Sequence, residues 1–153
     1  MALLRKAGTP GLRRLPAVKT DKAASAAFSM LCDAALREIP AWLARAQLIM
    51  ERDVLVAKPM HPDGPCLRCG VALCKVGKNY VIPEHTLAMA LRPTEARNVL
   101  SLTEEQARIL LTGQTLPCEN DGWTLAVYKN MPLCWGKAVG GVWKNHLPKG
   151  LRI

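Results

Sequence analysis

Apolar positions change their period along this chain, and each change marks a new element. In "TDKAASAAFSMLCDAALREI", Phe28, Leu31, Cys32, Ala35 and Ile39 recur at helical spacing, with Thr20 or Asp21 placed to cap a helix. Pro40 ends or restarts that helix. "AWLARAQLIMERD" continues helically, with Trp42, Leu43, Ala46 and Met50 on one face, so a helical segment is expected over residues 21–52. From Asp53 the runs shorten. "DVLVAKP" predicts a strand closed by Pro59, "MHPDGP" a turn, and "CLRCGVALCKVGKNYVIP" two strands around a turn at Gly77-Lys78-Asn79. "PEHTLAMAL" predicts a short helix opened by Pro83 and Glu84, and "NVLSL" a strand.

"SLTEEQARILLTGQTL" carries the strongest helix signal. Thr103 and Gln106 have capping-box spacing, Glu104 and Glu105 suit the positive helix start, and Gly113 stops it. Its stripe of Ala107, Leu110 and Leu111 is narrow and fits a core contact. "GWTLAVYKNMPLCWGKAV" predicts two strands around Lys129-Asn130-Met131-Pro132, with Trp123 buried because it alternates with Leu125 and Val127. "GGVWKNHLPKGLRI" adds a strand and a basic tail. Short strands with small helices between them predict a β-rich α+β domain over 53–153, a barrel or half-barrel, behind the helical segment.

Charge changes this picture at both ends. The formal net charge is +9, yet residues 21–121 hold eleven basic and twelve acidic groups. Residues 1–20 add Arg5, Lys6, Arg13, Arg14 and Lys19, and residues 122–153 add Lys129, Lys137, Lys144, Lys149 and Arg152, with no acid in either stretch. An acid-free basic segment inside a patterned region points to an anionic partner, nucleic acid first. Residues 1–20, broken by Pro and Gly, read as a flexible arm. Their Arg/Ala/Leu content also suits an organellar transit peptide, which makes a mitochondrial or other organellar location the alternative to a cytoplasmic one. No apolar run approaches the ~20 residues needed to span a bilayer, so a soluble chain is expected.

The six cysteines include Cys66 and Cys69 at CxxC spacing, followed by Cys74, Cys118 and Cys134. Two thiolates at that spacing can share a zinc ion. With no second CxxC or HxxxH, buried reduced thiols are the preferred reading and no metal is expected.

In the tail, Lys137, Lys144, Lys149 and Arg152 are candidate phosphate contacts, and Gly140 and Gly141 allow a sharp turn or a close backbone approach. Asn145 and His146 are candidates for base edges or a 2′-hydroxyl, and Trp143 or Trp135 for stacking on an unpaired base. His85 fits a satisfied, partly buried residue better than a ligand.

A series of ordered fragments resembles a known family. They are "LRCGVALCKV" (with Cys74 where a glycine is usual), "IPEHTLAMAL", "LLTGQTL", Gly122-Trp123, and a closing set from Pro132 to Arg152. That set includes Trp135, Gly136, Lys137, Gly141, Lys144, Asn145, Pro148, Lys149 and Gly150. The stretch from about Asp53 to Arg152 resembles the C-terminal PUA-like RNA-binding domain of the rRNA small-subunit methyltransferase F group, the Sun/Nop2-type cytosine-C5 RNA methyltransferases. Enzymes of that group carry a Rossmann-type catalytic domain with a glycine-rich S-adenosylmethionine loop and two cysteines in Pro-Cys and Thr-Cys contexts. This sequence has no such loop, and its Pro117-Cys118 pair falls in the accessory region.

The resemblance implies a noncatalytic RNA-binding chain without a cofactor, with RNA, small-subunit rRNA first, as partner. The alternatives are one part of a split methyltransferase working with a separate catalytic chain, and a ribosome-associated structural protein.

Overall fold

The computed structural model describes residues 21–59 and 70–153. The basic arm, Cys66 and Cys69 lie outside the described residues. Helix α1 (Lys22–Ala35) begins where Asp21 accepts a hydrogen bond from the Ala23 N–H, and it buries a stripe of three alanines and one leucine, Ala24, Ala27, Leu31 and Ala35. The chain leaves α1 in extended form, with Leu36 bridged to Ala96, and Pro40 then caps one helical turn, α2 (Ala41–Ala44).

The expected second long helix is not formed. Residues Gln47–Glu51 are strand β1, joined by a tight turn at Arg52-Asp53 to β2 (Val54–Lys58). Arg52 takes a left-handed φ of 60° to make that turn. Leu48, Ile49 and Met50 are consecutive apolar residues, which fit a helix face or a strand equally well by period. Antiparallel pairing with the β-branched "VLVAK" decides for the strand. Strands β3 (Val71–Val76) and β4 (Val81–Pro83) complete an antiparallel meander in the order β1-β2-β3-β4. Helix α3 (His85–Ala90) follows, starting one residue beyond Glu84.

The second sheet has the order β5-β7-β8-β9-β6, from β5 (Val99–Ser101), β6 (Leu116–Pro117), β7 (Gly122–Tyr128), β8 (Met131–Val139) and β9 (Val142–Asn145). β5 runs parallel to β7, and the other pairs are antiparallel. The register shifts between Ala126 and Val127, which face Cys134 and Pro132, so Leu133 is the extra residue of a bulge on β8, the kind of irregularity that bends a strand, and this sheet curls into a half-barrel. Helix α4 (Glu104–Leu111), inserted between β5 and β6, has the reciprocal capping box read in the sequence, Thr103 to Gln106 and back.

The second sheet is buried on both faces. On one, Trp123, Leu125, Val127 and Trp135 join α1, α3 and the first sheet in one core. On the other, Ala126, Cys134, Ala138 and Trp143 pack with Leu110, Leu116 and Cys118 under α4. The α+β class with short helices and a half-barrel is the architecture expected from the sequence. Among the described residues no helix is long and apolar enough to cross a membrane.

Candidate nucleic-acid interface

The β8–β9 hairpin turns at Gly140-Gly141, whose φ values of 58° and 83° are those of a two-residue turn matched to the twist of a hairpin. Strand alternation then sorts the tail. Trp123 on β7 lies opposite Lys137 on β8, and Lys137 lies opposite Lys144 on β9, so the three form a row across the sheet. The row belongs to the face that buries Leu125 and Trp135 and lies beyond that core, so both lysines emerge into solvent.

Lys137 Nζ lies 5.6 Å from the centre of the Trp123 ring. His146 packs edge-on against the same ring, with centroids 4.8 Å apart and planes at 72°. Ion pairs among the described residues are Lys58–Glu51, Lys75–Asp53 and Arg108–Glu104, so Lys137 and Lys144 have no acidic partner there. Lysines directly opposite each other repel, at a small cost to the β8–β9 pairing.

His146 keeps an exposed edge while its ring is partly withdrawn from water. That burial, reinforced by Lys137 and Arg152, lowers its pKa below 6.5. At neutral pH it is an uncharged hydrogen-bonding group and not a third cation. His85 is lowered by burial too, and its Nδ1 is buried without a partner, against the sequence expectation of a satisfied residue.

Three of the expected contacts belong to the fold instead. Trp143 is fully buried, and its Nε1 donates to the Thr124 carbonyl at 3.1 Å. It cannot stack on a base, because the absence of a side chain at Gly136 is what admits its indole. Asn145 donates to the carbonyls of Leu110 (2.8 Å) and Gln114 (3.0 Å) and accepts from the Leu147 N–H (2.8 Å), so it ties β9 to the end of α4. Replacing it with alanine is expected to cost about 2 kcal/mol, read as a lower urea midpoint with unchanged slope.

Arg152 donates through Nε to the Leu147 carbonyl at 3.0 Å and packs over Gly113, a cation beside the carbonyl end of α4. Trp135, the other stacking candidate, is 2% exposed, with an unpartnered Nε1. Lys149 is exposed on a final 3₁₀ turn. The residues the structure brings together at the surface are Lys137, Lys144 and His146, beside the Gly140-Gly141 tip.

Sequence reasoning missed the neighbour of this row. A cleft of about 410 Å³ opens beside Trp123 and Lys137, closed on the far side by Met30 and Asp33 of α1 and by Asn79 and Tyr80 of the β3–β4 turn. Tyr80 is 58% exposed, with its ring laid against Gly77. An aromatic residue in a turn otherwise made of Gly, Lys and Asn was the available signal.

Burial pushes Cys74 and Cys134 up to about 12, and Cys118 is buried under α4. The histidines and thiols together shape stability against pH. The folded state holds fewer protons than the unfolded chain on His85 and His146 below pH 6.5, so stability is lost as pH falls through that value. It holds more on Cys74 and Cys134 between pH 9.0 and about 12, so stability is lost as pH rises there. Urea midpoints in reducing buffer should therefore form a plateau between these limits.

A curled, two-faced sheet with inserted short helices and a basic, glycine-tipped closing hairpin defines a PUA-like fold. A family model described as the methyltransferase RsmF PUA domain matches residues 97–153, so this C-terminal part of the chain is similar to the PUA domain of RsmF-type methyltransferases. The matched span holds β5 to β9, α4 and the Lys137–Lys144 row, while residues 53–96, included in the resemblance read from the sequence, fall outside it. No curated protein matches the chain.

Proposed function

We propose that this chain is a noncatalytic RNA-binding module that docks small-subunit rRNA through the Lys137–Lys144 row and the Gly140-Gly141 tip. The observation that carries the reading is the pair of directly opposed, acid-free lysines beside an aromatic ring, in a domain of a class that serves methyltransferases as an RNA-binding accessory. Phosphates bridge the two ammonium groups, and neutral His146 supplies a hydrogen bond next to them. The match to a methyltransferase domain favours a separate catalytic chain as second partner.

Fluorescence anisotropy of the full chain against small-subunit rRNA fragments and a length-matched DNA duplex, at low and physiological salt, tests the reading. Preference for rRNA that persists at the higher salt supports it. Equal binding to both, erased by salt, would reduce the row to a generic basic surface.

A further inference from the structure

The cleft beside the lysine row has the makings of a base site, and four observations give it chemistry. Tyr80 is an exposed aromatic held in place by backbone: a Cβ at Gly77 would overlap its ring, so the ring rests directly on the turn. Trp123 shares the cleft, and Lys137 spans from the cleft to the phosphate row, since it lines the one and pairs across strands with Lys144. Asp33 and Lys137 line the same cleft yet form no ion pair, which leaves the carboxylate free to accept. The volume of about 410 Å³ lies in the range of sites that take small ligands.

An acid in a nucleic-acid cleft works against phosphate. It suits an amino group on a base edge. Uracil lacks one: its N3–H is flanked by two carbonyl oxygens that a carboxylate repels. Cytosine, adenine and guanine each present an exocyclic amine.

We propose that the cleft between α1, the β3–β4 turn and the start of β7 receives one unpaired nucleobase carrying an exocyclic amino group. The base lies against Tyr80, its amino group donates to Asp33, and the adjoining phosphate meets Lys137. The proposal rests on the RNA-binding reading and adds to it a base preference and its residues.

The test uses the full chain and short uridine oligomers carrying one central cytidine, adenosine or guanosine, with the all-uridine oligomer as reference, read by anisotropy at low salt. The expected result is about tenfold tighter binding of the substituted oligomers than of the reference. Tyr80→Ala removes that advantage. Gly77→Ala displaces the ring without changing charge and lowers it too. Asp33→Ala acts with the opposite sign on the reference: it strengthens all-uridine binding, because a repelling charge is gone, and abolishes the preference, because no acceptor is left for the amine. Tyr80 and Asp33 are exposed, so their variants should melt with the parent, which separates a lost site from a lost fold.

Equal binding of all four oligomers, unchanged by these variants, would overturn the base site while leaving the phosphate row intact. Failure to bind these oligomers and the rRNA fragments alike would overturn both. Retained preference in Asp33→Ala would exclude this side chain as the selecting group and with it the proposal.

Discussion

Trp143→Ala is expected to lower stability by about 3–5 kcal/mol, enough to unfold much of the population at moderate urea. The indole is fully buried beneath α4, fills the space left open by Gly136, and closes a hydrogen bond to the Thr124 carbonyl. Truncation removes a large apolar surface, leaves a cavity in the smaller of the two cores, and strands that carbonyl. Gly136→Ala approaches the same fault from the other side: the new methyl group overlaps the indole and forces it out of place. Urea unfolding followed by fluorescence measures both. A Trp143→Ala chain that kept its stability and lost only RNA binding would mean that this side chain faces the ligand after all.

The second large effect falls on binding and leaves the fold alone. Lys137→Ala with Lys144→Ala is expected to reduce RNA affinity by roughly ten- to a hundredfold at low salt. The log–log salt slope should fall by about 1.4, two phosphate contacts at about 0.7 each on a single strand. Stability should hold or rise slightly, because two like charges no longer oppose each other across the β8–β9 pair. Titration at several salt concentrations gives the slope, and a thermal melt gives the control. An unchanged slope would place the phosphates elsewhere. The two variants thus pull apart what the closing segment does for the fold and what it does for a ligand.

Which parts were legible follows from the range of the forces involved. Helix α4 could be read residue by residue, because a capping box and a stop glycine act within one turn of backbone. The hairpin at Gly140-Gly141 and the turn after Val76 were equally local. Strand β1 was not legible: "QLIME" has no period that excludes a helix, and its state was settled by a partner strand beyond Arg52. The stripe on α1 was only half read, since Leu31 and Ala35 are buried but Ile39 is exposed beyond the helix end.

The same limit explains the tail. Lysines on an acid-free segment announce themselves, and Lys137 and Lys144 proved to be surface neighbours. A tryptophan or asparagine on a strand does not reveal which side it faces until both sides are known. This sheet has a core on each. Trp143 and Asn145 therefore looked like ligand groups and turned out to serve packing and helix anchoring. Tyr80 and Asp33, far apart in sequence, became neighbours of Trp123 only through the approach of α1 and the first sheet.

The stripe on α1 also sets an order of events in time. Ala24, Ala27, Leu31 and Ala35 are covered in part by strands that begin only at Gly122. During synthesis α1 leaves the ribosome long before β7 exists, so for seconds its inner face has no complete partner. Leucine occurs once among those four positions and alanine three times. Phe28 and Met30 pack against the same core, so the sticky surface of the waiting helix is confined to Leu31 and these two, while the alanines that later allow close contact with the sheet add little to it.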